Sequence, residues 1–275
     1  MQILRAILAG ERDGAVLARM RNGRVKCSEA TRVKALTGDY RPEHLFTLRQ
    51  AVELYDVYPE KIAECDAEIQ KVMARFQTRP ARGTRNPKAS KRRSSARRKN
   101  QCHFDLAEEL FRIAGVDVTR IDGIDGLTAQ TVFAEVGFDL SAFATEHHFA
   151  SWLRLCPNNR ITGGKVRSSR TRQGQNRVAL AFRRAAQSLH HSQSALGGFY
   201  RRMVARMGPG KATTAVAHKL ARLFYRRVRY GQDYVDQGEK QYQQRYQEHQ
   251  MHLLKKRARQ MGFALVSVET GVVVS

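Results

Sequence analysis

The stretch Trp152–Leu189, WLRLCPNNRITGGKVRSSRTRQGQNRVALAFRRAAQSL, organises the chain. It opens apolar and breaks at Pro157-Asn158-Asn159. A polar loop at Thr162-Gly163-Gly164-Lys165 and a basic loop follow, and a helix begins near Asn176. No Asp or Glu occurs in it. Hydroxyls, glycines and cations therefore share one loop, a composition suited to holding a phosphodiester. Glycine lets the backbone come close to an anion, and cations offset the charge on its oxygens.

The charge distribution extends this reading. The 275 residues hold 49 Lys plus Arg against 25 Asp plus Glu, a net charge of +24. His147 to Gln232 contains 18 basic residues and no acid, and Thr78 to Asn100 contains ten and again no acid. Outside these two windows the balance is slightly acidic, so the whole excess is concentrated in them. Concentrated charge of one sign fits a nucleic-acid partner better than a merely solvated surface, which mixes signs. It also fits nucleic acid better than an anionic membrane. A hydrophobic content of 42% excludes wholesale disorder and leaves enough apolar surface for a core.

Cys27, Cys65, Cys102 and Cys156 stand far apart, with neither CxxC spacing nor a disulfide framework, as expected of the reducing cytoplasm. The pairs His147/His148 and His190/His191 lack partners at metal-ligand spacing and read as helix-surface or loop residues, so no metal site is expected. No apolar run is long enough for a membrane span, and the N-terminus lacks a signal-peptide pattern.

The expected fold is mainly α. Two or three short helices occupy residues 1–40, beginning with Met1–Ala9. Arg41–Phe76 is a long amphipathic helix whose Leu48, Tyr55, Ile62, Ile69 and Phe76 recur every seven residues, a coiled-coil type seam. That seam reads either as a dimerisation or spacer arm or as half of a hairpin packed on residues 1–40. Pro59 in its middle is expected to kink or split it. Residues 77–100, with two prolines and dense like charge, read as a flexible basic linker. Helices are further expected from Phe104, over Leu127–Val136, Asn176–Ser188, Leu196–Met207, Thr213–Tyr230 and Val235–Met261, with a turn at Gly208-Pro209-Gly210. Phe149–Leu155 is a short helix or strand with Trp152 in the core, and residues 262–275 form an apolar tail.

Two places carry candidate chemistry. Ile121-Asp122-Gly123-Ile124-Asp125-Gly126-Leu127-Thr128 has the hydrophobe-x-Gly-hydrophobe-x-Gly pattern of a helix-hairpin-helix. Gly123 and Gly126 would let the backbone approach a phosphate, with Thr128 at the following helix start. Asp122 and Asp125 would repel that phosphate unless they cap the helix, so a purely structural junction stays open. In the central loop, Thr162 lies beside Gly163 and Gly164, with Lys165, Arg167, Arg170, Arg172 and Arg177 to balance phosphate charge. A free hydroxyl is a weak nucleophile without a base or metal. Thr162 therefore reads as a phosphate ligand or, with help from another segment, as a nucleophile; Ser168 and Ser169 are lesser candidates.

The strings HFASWLRLCPNNRITGGKVRSSRTR and NRVALAFRRAAQSL resemble the C-terminal domain of the IS-one-ten / IS-one-sixteen / IS-nine-zero-two family of insertion-sequence transposases. The likeness continues through Phe199-Tyr200-Arg201-Arg202-Met203 and Ala217-His218-Lys219-Leu220-Ala221-Arg222, and back to Glu11-Arg12-Asp13, Ala35-Leu36-Thr37-Gly38, Leu54-Tyr55-Asp56 and the Ile121–Ala129 turn. The resemblance implies serine-dependent DNA strand exchange. A serine in a Ser-Gly-Gly-Lys segment becomes linked transiently to a DNA phosphate, assisted by four carboxylates of a magnesium-binding, resolvase-like N-terminal domain. A structured RNA bridges target and donor DNA.

Here Thr162 stands at the serine position. It keeps the hydroxyl, adds a methyl beside it and is stiffer, which implies a slower or inactive nucleophile. The resolvase-like domain would lie before Met1, and the remaining acids show no tetrad spacing. No cofactor is expected on this chain alone, with magnesium arriving only with that domain. The expectation is a helical and coiled-coil region over 1–76, the linker over 77–100, a transposase domain over 101–261 containing the helix-hairpin-helix-like turn, and the tail. The expected partners are DNA, a structured RNA, and a second copy or an intact transposase. The alternative is a catalytically inactive nucleic-acid binder.

Overall fold

The computed structural model describes residues 1–23, 25–82, 102–172, 174 and 176–266. Arg24, most of the basic stretch (83–101) and the end of the tail (267–275) lie outside the described residues, so the expectations placed there are not addressed. The fold is mainly α: eleven α-helices and one two-stranded sheet among the described residues. As far as they are described, Met1–Val72 with Cys102–Phe104 make one compact unit, and Met73–Gln101 with Asp105–Ser275 make the other.

In the first unit, α1 (Gln2–Leu8), α2 (Gly14–Arg19) and α3 (Glu29–Leu36) precede the long α4 (Pro42–Ala74). Asp13 caps α2 and Ser28 caps α3, each side chain accepting from an amide of the first turn. Helix α4 is unbroken across Pro59, where the sequence predicts a kink or a split. Of the apolar positions of α4 up to Val72, only Val52 is buried, whereas Leu54, Tyr55, Tyr58 and Ile62 are exposed. The buried Asp66 carboxylate accepts from the His103 amide at 2.8 Å.

In the second unit, α5 (Leu106–Ala114) and α6 (Gly126–Val136) flank a single 3₁₀ turn, followed by α7 (Glu146–Trp152). The hairpin β1 (Arg160–Thr162) and β2 (Lys165–Ser168) comes next. Then follow α8 (Arg177–Ser188), α9 (Ala195–Met207), α10 (Pro209–Tyr230) and α11 (Gly238–Gln260). The start of the basic stretch is tied to the end of α5: the Arg79 amide donates to the Arg112 carbonyl at 3.0 Å.

Helix α10 is the axis of this unit and packs on α7, α8 and α9. Val216, Ala217, Leu220, Ala221, Phe224 and Tyr225 form its buried stripe, the i, i+4, i+8 pattern of a helix buried along one side. Phe133, Phe182 and Phe224 meet edge-to-face or tilted in the core at 5.3 and 5.7 Å. Gly208, with φ +79°, is the only residue between α9 and α10, and Pro209 opens α10 as its first residue. The helix therefore starts four residues before Thr213, where the sequence predicts its start.

Trp152, expected in the core, is 48% exposed. The buried positions of α7 are Glu146, Phe149 and Ala150, continued by Leu153 in the cap. That stripe leaves position 152 on its flank, where the indole leans on Phe143 at 5.5 Å.

Candidate nucleic-acid interface

Helix α7 launches the candidate site. It ends in a Schellman motif: the Leu155 amide donates to the Ala150 carbonyl at 3.1 Å and the Arg154 amide to the Ser151 carbonyl at 2.9 Å. Arg154 occupies the left-handed position with φ +58°, where glycine is usual. Leu153 and Leu155 are buried and pin the exit of the helix. Beyond them the chain runs outward at Pro157. Pro157 bridges to Thr171, and the Asn158 amide donates to the Arg170 carbonyl at 3.0 Å, closing the base of a protruding arm.

The arm is an antiparallel hairpin, where the sequence predicts a loop. Thr162 pairs with Lys165, Ile161 with Val166, and Arg160 with Ser168. Gly163 and Gly164 form a two-residue connection with φ +56° and +72°. Positive φ at both centres is the signature of a type I′ turn, whose twist matches that of its strands, and Gly-Gly meets it without steric cost. Nothing lies within 4 Å of a methyl added at either glycine, so the tip stands in solvent. An irregularity between Arg160 and Ile161 leaves Arg167 as the extra residue of a bulge.

Side chains alternate across such a ribbon. Thr162, Lys165 and Arg160 share one face, and Ile161 and Val166 the other. Thr162, Gly163, Gly164, Lys165, Arg167, Arg170 and Arg172 are all exposed, so the structure gathers these candidates on one arm, with Arg172 at its foot just past the Pro157–Thr171 bridge. The Thr162 hydroxyl has no hydrogen-bond partner among the described residues. Arg160, Lys165, Arg167, Arg170 and Arg172 make no ion pair with a described carboxylate. Arg160 was missed as a candidate, although it stands in the same acid-free run.

Seven other cations of that run are occupied. Arg177 opens α8 and pairs with Glu135 at 2.8 Å. Arg222 and Arg226 both grip the buried Glu146 carboxylate, with Arg222 Nε and Arg226 Nη2 at 2.8 and 2.7 Å. Hydrogen bonding from Arg226 foremost, then Arg222, holds the Glu146 carboxyl at about 2 against the opposing pull of burial. Arg201 pairs with Glu239 at 2.5 Å, and the buried Arg227 pairs with Asp233. Arg202 lies over Tyr246 at 3.9 Å, and Lys219 over Phe199 at 4.3 Å. Burial, with Arg202 and Arg222 nearby, holds the Lys219 ammonium below its usual range.

The Ile121–Thr128 turn lies apart from the hairpin in sequence, and its groups bond to the protein itself. Asp125 caps α6, accepting from the Thr128 amide at 2.8 Å. Asp122 accepts from the hydroxyls of Ser192 and Ser194. Gly123, at φ +88°, lies so close to α8 that an added methyl would stand 2.9 Å from the Ala185 carbonyl oxygen. Gly126 faces Leu106 at an ordinary contact distance. Asp125 thus caps the helix, whereas Asp122 is bonded to two serines and caps nothing, so only one of the two aspartates meets the condition set for a phosphate at this turn.

Among the described residues, no group of three or more His, Cys, Asp or Glu could hold a metal ion. No described helix is long and apolar enough to cross a membrane.

No curated protein matches the chain. Residues 115–201, which span the Gly123 turn, the hairpin, α8 and the first half of α9, match the family model described as "Transposase IS116/IS110/IS902 family". Over those residues the chain is similar to an insertion-sequence transposase.

Proposed function

We propose that the chain acts in DNA transposition by gripping a DNA backbone with the Arg160–Ser168 hairpin and presenting Thr162 to a phosphate. The observation that carries this reading is the pairing of an unbonded Thr162 hydroxyl with Lys165 across a Gly-Gly turn, on an arm whose five cations lack partners among the described carboxylates. Free cations on an exposed ribbon are available to phosphates, and a hydroxyl beside them can reach the phosphorus.

In the reaction, Thr162 Oγ1 attacks phosphorus and a P–O bond forms. The P–O bond to the departing deoxyribose oxygen breaks, and that oxygen takes up a proton. The threonine proton passes to a base from another segment, because the acid-free run holds no carboxylate. The dependence on an outside base, together with threonine where the family has serine, favours a second reading: a nucleic-acid binder that does not cleave. The partners under either reading are DNA and a structured RNA. A second copy or an intact transposase would cover the exposed Leu54, Tyr55, Tyr58 and Ile62 of α4. The Ile121–Thr128 turn has a smaller share, because the Asp125 carboxylate already occupies the α6 amide.

Trapping a DNA–protein adduct in the presence of an intact relative separates the two readings. The catalytic reading expects an adduct with this chain that disappears in Thr162→Ala and grows in Thr162→Ser. Binding without any adduct, under every partner and divalent-cation condition, leaves the non-cleaving binder. Affinity that does not respond to salt removes both readings, since contacts to several phosphates require a steep loss as salt rises.

A further inference from the structure

The hairpin has a second face that phosphate binding does not use. Ile161 and Val166 are cross-strand partners, 62% and 58% exposed, on the side opposite Thr162 and Lys165. Single exposed apolar residues need no explanation. Here two β-branched residues stand directly opposite each other on a two-stranded ribbon that is solvated on both sides. A ribbon of that kind is marginal by itself. Five cations on the same arm, unpaired among the described residues, state the sign of whatever covers it. An occupant that is anionic outside and apolar within is a nucleic-acid duplex, with phosphates at its edge and base faces in its interior.

We propose that the hairpin is a strand-separating wedge. The ribbon enters a DNA duplex with Arg160, Thr162 and Lys165 on the backbone, and Ile161 and Val166 press against the bases and open a base step. Apolar side chains such as Ile, carried into the minor groove, serve as wedges that partly unstack a base step. The free tip at Gly163-Gly164 lets the ribbon advance without colliding with its own fold. Strand exchange needs unpaired strands beside the reacting phosphate, and this arrangement delivers both from one element. The inference rests on the reading that the hairpin grips DNA.

The test uses the full chain and duplex oligonucleotides carrying 2-aminopurine, whose fluorescence rises when it unstacks. Wild type is expected to raise the signal several-fold on binding. Ile161→Thr with Val166→Thr, which keeps the β-branches and every cation of the arm, is expected to keep the salt dependence of binding and, at protein concentrations that saturate the duplex, to leave the signal at its duplex level. The swap Ile161→Val with Val166→Ile preserves the apolar face and should unstack as wild type does. Unstacking by the double-threonine protein, or binding by wild type with no rise in signal, overturns the wedge alone. If the double variant also loses affinity, the single variants Ile161→Thr and Val166→Thr decide: an intermediate signal supports the wedge and an undiminished one overturns it. Failure of wild type to bind duplex removes the wedge together with the DNA-gripping reading beneath it. Binding to an anionic vesicle but to no duplex likewise removes both.

Discussion

In α8, α9 and α10 seven cations of the acid-free run are taken up internally, whereas those of the hairpin arm are not. Arg177, Arg201, Arg222, Arg226 and Arg227 each find a carboxylate, and all of those carboxylates lie outside the run in sequence: Glu135, Glu146, Asp233 and Glu239. Arg202 and Lys219 find aromatic faces instead. Arg160, Lys165, Arg167, Arg170 and Arg172 have neither among the described residues. A run that is uniform in sequence is thus divided by the fold into cations that hold the protein together and cations left for a partner. A count of charges cannot make that division, because burial and pairing distances decide it.

Glu146 gives the largest expected effect. Glu146→Ala would strand two half-buried arginines and should lower stability by about 2 kcal/mol, measured by chemical denaturation. Duplex binding at low temperature should persist, because the hairpin cations do not depend on this carboxylate. Comparable losses of stability and binding would show that the two sets are not separate.

The same carboxylate predicts a pH dependence. Its folded value of about 2 lies below its ordinary 4.5. Its stabilisation should be complete above about pH 5 and should fade as the pH drops from there towards 2. Thermal unfolding followed across that range would show it, and Glu146→Gln should flatten that part of the profile.

A middle-sized effect is expected at the hairpin tip. Gly163→Ala or Gly164→Ala places a Cβ at positive φ and should cost about 1 kcal/mol of local hairpin stability. Cross-strand NMR contacts between Thr162 and Lys165 would weaken while the helical core stays intact. Unaltered contacts would mean that the turn geometry is not what holds the register.

The smallest effect on folding belongs to the free cations. Arg167→Gln or Arg170→Gln should change stability by no more than about 0.5 kcal/mol. Each should also reduce the salt dependence of DNA binding by about one ion. A stability loss as large as that of Glu146→Ala would erase the difference between the two regions.

The helices are largely legible in the sequence because their signals are local. Asn176 before an apolar stripe marks the start of α8, and the α5 and α6 periodicities mark those helices. The hairpin reads as a loop although Gly-Gly between Ile-Thr and Lys-Val is a hairpin signal; strands of three and four residues carry little periodicity beside so many cations. Trp152 is misplaced by composition because a helix of two turns buries too few positions to define its face.

By itself the sequence determined the helical class, the acid-free run, the hydroxyl beside two glycines and the likeness to a transposase domain. All of these are properties of residue order and local backbone preference. Only the tertiary structure decided which arginines meet Glu146 or Glu135, that Gly123 is held against α8, and that Ile161 and Val166 share an uncovered face. Those outcomes depend on which distant segments pack together, and packing is set by the folded core as a whole.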